Sequence, residues 1–274
     1  MLYFIPTPIG NLSDISLRSL EILRTCEFIF CEDTRVCKSL ITLLNSKFNA
    51  NINIKTFKSL HSHNEEEVLS KIDTVLFEKD IAYLSDAGMP GISDPGNKLI
   101  KFAQINNIKY EVLPGANAAL SALVSSGFCE KEFIFLGFLS SKENKRQKEL
   151  QNILNYPFVS IVYEACKRIL DLIEDIAKIE PQRELFAIKE ISKKFENKFK
   201  EKAINLVQIL KNENLNGEWV VIIDKKNGGE FNKNLLCEND ILSLDIAIKT
   251  KAKLLSKLNG ENSKKLYKML LSQN

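Results

Sequence analysis

IAYLSDAGMPGISDPG, Ile81 to Gly96, is the most informative stretch of this chain. It opens on four apolar residues, Ile81-Ala82-Tyr83-Leu84, between Lys79-Asp80 and Ser85-Asp86. Such a run reads as a buried strand of a parallel sheet. Three glycines and two prolines then fall within nine residues, Gly88 to Gly96. So punctuated a stretch is turn and loop. In open α/β sheets ligands sit at the carboxyl ends of strands, where glycine lets backbone approach them. The loop offers Ser85, Asp86, Ser93 and Asp94, with no Lys or Arg before Lys98. A triphosphate calls for cations and converging N–H groups. Two carboxylates suit ribose hydroxyls or a cationic ligand better, and a tight turn with capping carboxylates is the structural alternative.

Strand-like runs at Leu2 to Ile5, Phe28 to Cys31 and Asn53 to Phe57 precede this stretch, and Ile108 to Leu113 follows it. Helical periodicity separates them. Leu17, Leu20 and Leu23 follow Asp14, a candidate cap, and Val36, Leu40, Leu43 and Leu44 follow Asp33-Thr34. Val68, Leu69, Ile72, Val75 and Leu76 follow Asn64 with Glu67, a box-like cap, and Leu99, Phe102 and Ala103 follow the loop. Repeated β-α units imply a parallel sheet with helices on both faces. Pro114-Gly115 marks a junction. Beyond it, strands are expected at Phe133 to Leu136, Phe158 to Tyr163, Leu185 to Ile188 and Trp219 to Ile223, with helices between. The tail from about Leu235 reads as two helices broken at Gly260. The expected organisation is two α/β domains, 1–114 and 115–230, and a Lys-rich helical tail, 231–274.

The chain has 274 residues, 45% apolar and 27% charged, an ordinary balance for a globular protein with a sizeable core. A net charge of +3 does not by itself call for a polyanionic partner, but Lys249 to Lys268 holds seven Lys and one acid, Glu261. No apolar run reaches the ~18 residues of a membrane span. MLYFIPTPIG lacks a basic n-region and an A-x-A site, so a cytoplasmic protein is expected. Six cysteines, including Cys129 and Cys237, form no C-x-x-C pair and are expected as free thiols. No P-loop, G-x-G-x-x-G or G-x-S-x-G motif occurs where its chemistry would need it. His61 and His63 share a side of an extended chain, but no third ligand is evident and no metal is expected.

Pro8 to Asn11, Glu32 to Arg35 and Asp86 to Gly96 each follow a parallel strand and must meet at one sheet edge. That edge gathers Glu32, Asp33, Arg35, Asp86 and Asp94.

The blocks PTPIGNLSD (6–14), CEDTR (31–35), SDAGMPGISDPG (85–96), LPGANAALSALVSSG (113–127), FIFLGFLSSK (133–142) and YEACKR (163–168) resemble those of the ribosomal RNA small subunit methyltransferase I family. The resemblance spans about residues 1–224, and EDTR with SDAG-x-P-x-x-SDPG is its most specific part. It implies the tetrapyrrole-methylase-like fold, with S-adenosylmethionine in the cleft between two α/β domains, and a homodimer. It implies methylation of the ribose 2′-hydroxyl of a cytidine in the decoding region of 16S rRNA, within the 30S subunit. By similarity, Pro8, Asp86, Ala87, Gly88, Ile92, Asn117, Ala118, Tyr163 and Glu164 are candidate cofactor contacts. Glu32 and Asp33 are candidates for a base or for orienting groups, and Arg35, Arg146, Arg168 and Lys189 for rRNA phosphates. Ala165-Cys166-Lys167-Arg168 and Lys189-Glu190-Ile191-Ser192-Lys193 depart from the usual family pattern while keeping a cation nearby. Two other readings stay open: a tetrapyrrole C-methyltransferase using the same cofactor, and a non-catalytic RNA-binding or assembly protein.

Since no metal-ligand spacing occurs, methyl transfer should persist in a chelator. Activity abolished by chelator and restored by added metal would refute this.

Overall fold

The computed structural model describes residues 1–128, 131–226 and 238–272, so Cys129 and Cys237 lie outside the described residues. Met1–Lys226 is one compact unit and Asn227–Asn274 a second.

The first unit starts with strict alternation: β1 (Leu2–Ile5), α1 (Leu17–Thr25), β2 (Phe28–Cys31), α2 (Thr34–Phe48), β3 (Thr56–Ser59), α3 (Glu65–Ser70), β4 (Ile81–Leu84), α4 (Asn97–Ile105) and β5 (Tyr110–Val112). The strands pair all in parallel, in the order β3-β2-β4-β1-β5. Helices cover both faces, as parallel crossovers require. Leu20, Leu23, Ile41 and Leu44 pack on Ile5, Ile29 and Ala82 on one side. Leu69, Leu99 and Ala103 pack on Phe4, Phe30 and Tyr83 on the other. Central β4 is buried at all four positions, which explains its unbroken apolar run. The carboxyl ends of β1, β4 and β2 therefore lie side by side.

Local capping shifts some expected elements. Ser16, not Asp14, caps α1, because Asp14 closes a short 3-10 turn capped by Asn11. Asn64 makes no cap bond to α3; its side chain accepts from His61 N and donates to Ser59 O. The helix expected to run on to Leu76 stops at Ser70, and Asp73 caps a separate 3-10 turn, Thr74–Glu78, leaving Val75 exposed. Strand β3 starts at Thr56, beyond Asn49 and Asn51 in the left-handed region.

The second sheet is mixed. Its elements are α5 (Ala118–Ser126), β6 (Phe133–Phe138), α6 (Glu143–Ile153), β7 (Val159–Ala165), α7 (Ile169–Ile179), β8 (Glu184–Lys189), β9 (Asn197–Lys202), α8 (Ala203–Leu210) and β10 (Glu218–Ile223). The order is β6-β7-β10-β8-β9, with only β6 and β7 parallel. Strand β9 was not expected. Its sequence NKFKEK reads as a basic segment, and lysines suit an edge strand because they oppose pairing with another chain.

The second unit holds α9 (Glu238–Ser243), α10 (Ile248–Asn259) and α11 (Ser263–Leu271). They share a small core of Ile241, Ala252, Leu255, Leu266 and Leu270. Gly260, left-handed, ends α10 as expected, and α9 adds a helix to the two anticipated. Among the described residues no helix is long and apolar enough to cross a membrane.

Arg146 requires a correction. Expected to meet rRNA phosphate, it is 6% exposed on α6, and its Nε and Nη2 donate to Asp175 Oδ2 on α7 at 3.0 and 2.7 Å. The pair joins two helices inside the protein. Asp175→Ala would leave a buried guanidinium uncompensated, a change worth about 3–5 kcal/mol. Urea denaturation should show that loss as a lower midpoint at constant slope; an unchanged midpoint would show that the pair contributes no stability.

Candidate active site

The site is built where the loops after β1, β2 and β4 meet. Thr7 N donates to Gly88 O at 2.9 Å and Gly88 N to Thr7 O at 3.0 Å. Thr7 Oγ1 donates to Ser85 O at 3.2 Å, and Ser85 Oγ to Gly88 O at 3.1 Å. Gly88 has φ +83, and a Cβ there would come within 3.2 Å of Ile9 Cγ2. The positive φ strains any other residue there, and the close methyl adds to the cost. Further along, buried Glu65 accepts from Gly96 N at 2.9 Å, Asn97 Nδ2 donates to Gly91 O at 2.9 Å, and Gly91 N donates to Pro95 O at 3.1 Å.

The second sheet supplies the opposite wall. Register shifts between Phe135 and Gly137, and Gly137 (φ +65) lies so near Ser93 that a Cβ would come 3.1 Å from its Oγ. Tyr163 OH accepts from Ala119 N at 3.2 Å, and Phe135 and Phe138 meet its ring edge-on at 5.0 and 5.6 Å. Asn117 Oδ1 accepts from Leu120 N and caps α5. The result is a cavity of about 410 Å³, lined by Ile9, Ala87, Gly88, Met89, Ile92, Ser93, Asp94, Asn117, Ala118, Phe138, Tyr163, Glu164, Ala165, Cys166, Ile191, Gly217, Glu218, Trp219 and Val220. Its volume and largely apolar walls suit a small-molecule site.

Its carboxylates differ by partner. Glu164 is buried; Oε1 accepts from Ala165 N at 2.8 Å and pairs with Arg168 at 2.6 Å. Its Oε2 is the one buried side-chain oxygen or nitrogen among the described residues with no hydrogen-bond partner. Burial raises the Glu164 pKa. Asp94 is pushed up to about 7 by burial and by the carboxylates of Glu32, Asp86 and Glu218. Burial also raises Glu32, with Asp86 adding to the effect. Asp33 is held down at about 2 by the Arg35 guanidinium, at 2.6 and 3.1 Å, and by the Arg35 N–H it caps. A group so acidic is a poor proton acceptor at neutral pH.

Seven of the nine candidate cofactor contacts line the cavity: Ala87, Gly88, Ile92, Asn117, Ala118, Tyr163 and Glu164. Pro8 and Asp86 do not; Asp86 Oδ1 accepts from Asp33 N at 3.1 Å and so orients the Glu32–Arg35 loop. Lys189 requires a correction. It is 8% exposed, its Nζ donates to Asn214 O at 2.6 Å and sits 5.8 Å from the Trp219 ring, so it does not reach for phosphate. Arg168 is committed to Glu164, whereas the Arg35 side chain is 88% exposed. The His61 and His63 rings meet edge-on at 6.0 Å, and no group of three or more His, Cys, Asp or Glu able to hold a metal occurs among the described residues. Sequence reading missed the wall from Gly217 to Val220, which a glycine before a strand hints at only weakly. Ser93 and Asp94, in the loop after β4, also line the cavity.

Residues 1–206 match the tetrapyrrole (corrin/porphyrin) methylase family. Among solved structures, the cobalamin biosynthetic enzyme cobalt precorrin-4 methyltransferase superposes with a TM-score of 0.58 at 12% identity, covering 81% of this chain and 94% of that one. A uroporphyrin-III C-methyltransferase from Thermus thermophilus, complexed with S-adenosyl homocysteine, gives 0.55 at 14% identity, covering 81% and 96%. At such identities the likeness establishes the fold. Sequence relatives are far nearer. Ribosomal RNA small subunit methyltransferase I of Campylobacter fetus subsp. fetus (strain 82-40) is 56% identical over 99% of this chain and 100% of its own length. The protein of the same name from Helicobacter pylori (strain J99 / ATCC 700824) is 39% identical over 97% and 96%. With the SDAG-x-P-x-x-SDPG loop walling the cavity, the EDTR loop bonded to it through Asp33 and Asp86, and end-to-end identity of this order, the chain belongs to the ribosomal RNA small subunit methyltransferase I family.

Proposed function

We propose that this protein transfers a methyl group from S-adenosylmethionine to the 2′-hydroxyl of a cytidine ribose in the decoding region of 16S rRNA, acting on the 30S subunit. One observation carries the cofactor reading: Glu164, buried in the cavity wall, has an oxygen with no partner in the protein. A buried unpaired acceptor costs about 1–3 kcal/mol, and a ligand hydroxyl or ammonium would satisfy it. S-adenosylmethionine carries both, with an adenine and no phosphate, and supplies a methyl group activated by a sulfonium. Ile9, Ile92, Tyr163 and Trp219 offer apolar walls for a base and ribose, while Gly88 and Ala118 let a ligand approach backbone closely. The acidic lining favours a cation.

The names of the sequence relatives support the rRNA substrate. Exposed cations suited to phosphates support it further: Arg35, Lys142 and Lys148, and on β9 Lys198 and Lys202. Cytoplasmic location, a homodimer, and two domains meeting near Pro114 to clasp the cofactor complete the proposal. The rival tetrapyrrole reading rests on the family match over residues 1–206 and on fold likeness at 12 and 14% identity, whereas an rRNA-named relative is 56% identical over 99% of this chain.

Incubated with labelled S-adenosylmethionine and 30S subunits lacking the modification, the protein should add a methyl to one cytidine ribose of 16S rRNA, located by mass mapping. Turnover of uroporphyrinogen with none on 30S subunits would favour the rival. Replacing Lys142 and Lys148 together with Gln should weaken 30S binding and lower its salt slope by up to about two, since each phosphate contact releases counterions. Cofactor affinity should stay the same. Equal salt slopes for variant and wild type would remove both lysines from the interface.

A further inference from the structure

Two segments of chain leave the cavity together. Ile9 and Ile191 line it, and the residues that follow them, Gly10 to Leu12 and Ser192 to Lys194, line a second, open cavity of about 670 Å³ with Lys47. The segments are in contact: a Cβ on Gly10 would come within 2.6 Å of Lys193 Cγ, and Asn11 N donates to Ser192 Oγ at 3.3 Å. The loop between β8 and β9 is held from several sides. Ser192 Oγ donates to Asp14 Oδ2 at 2.6 Å and Ser192 N to Glu196 Oε2 at 2.7 Å. Lys193 Nζ bridges Glu190 and Glu218, at 2.9 Å from each. Glu190 and Ser192 hold φ +53 and +66 without being glycine. Such backbone persists where its surroundings impose it, and it clusters at functional sites. This loop presents Phe195, which is 71% exposed and belongs to no core cluster among the described residues. Lys194 Nζ lies 5.6 Å from the centre of its ring. The acids nearby are engaged: Asp14 by Ser192, Glu196 by Ser192 and Lys198, Glu190 and Glu218 by Lys193. Lys47 Nζ donates to Ser13 Oγ, and neither it nor Lys194 pairs with a carboxylate among the described residues.

We propose that Phe195 is a stacking platform for an unpaired rRNA base near the methylated nucleotide, with Lys47 and Lys194 meeting phosphates of the same strand. The proposal rests on the rRNA reading of the substrate given above. An exposed ring beside cations is the combination by which proteins hold single-stranded nucleic acid: bases stack on the aromatic face and the cations track the backbone. Unstacked bases of RNA loops and bulges are taken onto aromatic side chains in the same way. Phe195 is four residues on from Ile191 in the cavity wall, at most about 14 Å of chain. A strand whose cytidine ribose enters the cavity therefore passes within a few nucleotides of the ring. Lys47 and Lys194 both line the open cavity, and with the local acids engaged their charge is free to meet phosphate. The fixed loop adds to this, because a platform ordered before binding loses little entropy when a base settles on it.

Three variants of the full-length protein test it: Phe195→Ala, Phe195→Leu and Phe195→Trp. Each is measured for binding to 30S subunits lacking the modification and, by calorimetry, to S-adenosylmethionine. Phe195→Ala should bind 30S subunits about 5- to 150-fold more weakly than wild type, the range for one base stacked on a ring. Phe195→Leu should be weakened as much, since it keeps apolar surface but no ring, and Phe195→Trp should bind at least as tightly as wild type. Cofactor affinity should be the same in all three. In Phe195→Trp the new indole should be quenched by single-stranded oligocytidine, while the wild type, whose sole tryptophan, Trp219, is 2% exposed, should show no quenching. Lys47→Gln combined with Lys194→Gln should lower the salt slope of 30S binding by up to about two. Phe195→Ala binding 30S subunits as tightly as wild type would overturn the proposal, as would an unquenched indole or an unchanged salt slope. Phe195→Leu binding like wild type would also overturn it, pointing to an apolar contact with a ribosomal protein. Cofactor affinity falling together with 30S affinity would show a structural role for the ring and overturn it as well. In all these cases methylation of 30S subunits by the wild type leaves the proposed function standing. Failure of the wild type to bind and methylate 30S subunits would overturn both.

Discussion

Two backbone hydrogen bonds between Thr7 and Gly88, at 2.9 and 3.0 Å, hold the loop after β1 against the loop after β4. Each contributes about 0.5–1.5 kcal/mol net to folding, but their larger consequence is geometric. They bring Ile9 and Gly88 into one wall and set where the chain from Met89 to Gly96 can go. Glu65 then fixes the far end of that chain from α3, and Gly137 lets the second sheet approach it at Ser93. Gly88 and Gly137 both hold positive φ, so a side chain at either would strain the backbone and press on Ile9 or Ser93. The cavity is a product of close backbone approach at two points.

A second constraint is the distribution of charge. The loops after β2 and β4 place several carboxylates around one space, and the protein assigns each a different state by its partner. Arg35 keeps Asp33 strongly acidic, Arg168 pairs with one oxygen of buried Glu164, and Asp94 is left without a cation. Desolvation and like charge raise a carboxyl pKa, while a paired guanidinium lowers it. The same residue type thus sits in different electrostatic states within one site.

The strict alternation of the first half was legible because β4 and its neighbours are buried on both faces and spell out apolar runs. β1, β2 and β4 have the bounds expected for them. The convergence of three loops followed from parallel pairing alone. The errors came where local hydrogen bonding competed with periodicity, as at Asp73, Ser16 and Asn64. Strand β9 was hidden because an edge strand rich in lysine lacks the apolar signal of a strand. Arg146 and Lys189 were read as surface cations because sequence does not reveal that Asp175 and Asn214 meet them inside the fold. The Gly217–Val220 wall comes from antiparallel pairing across the second sheet, which no local pattern encodes.

The central claim is that the space walled by Gly88, Tyr163 and Glu164 holds the cofactor. A crystal structure of the protein with S-adenosylhomocysteine tests it most directly. The account predicts the nucleoside within this cavity, with a ligand hydroxyl or ammonium donating to Glu164 Oε2. The nucleoside bound elsewhere, with Glu164 Oε2 still unpartnered, would contradict it.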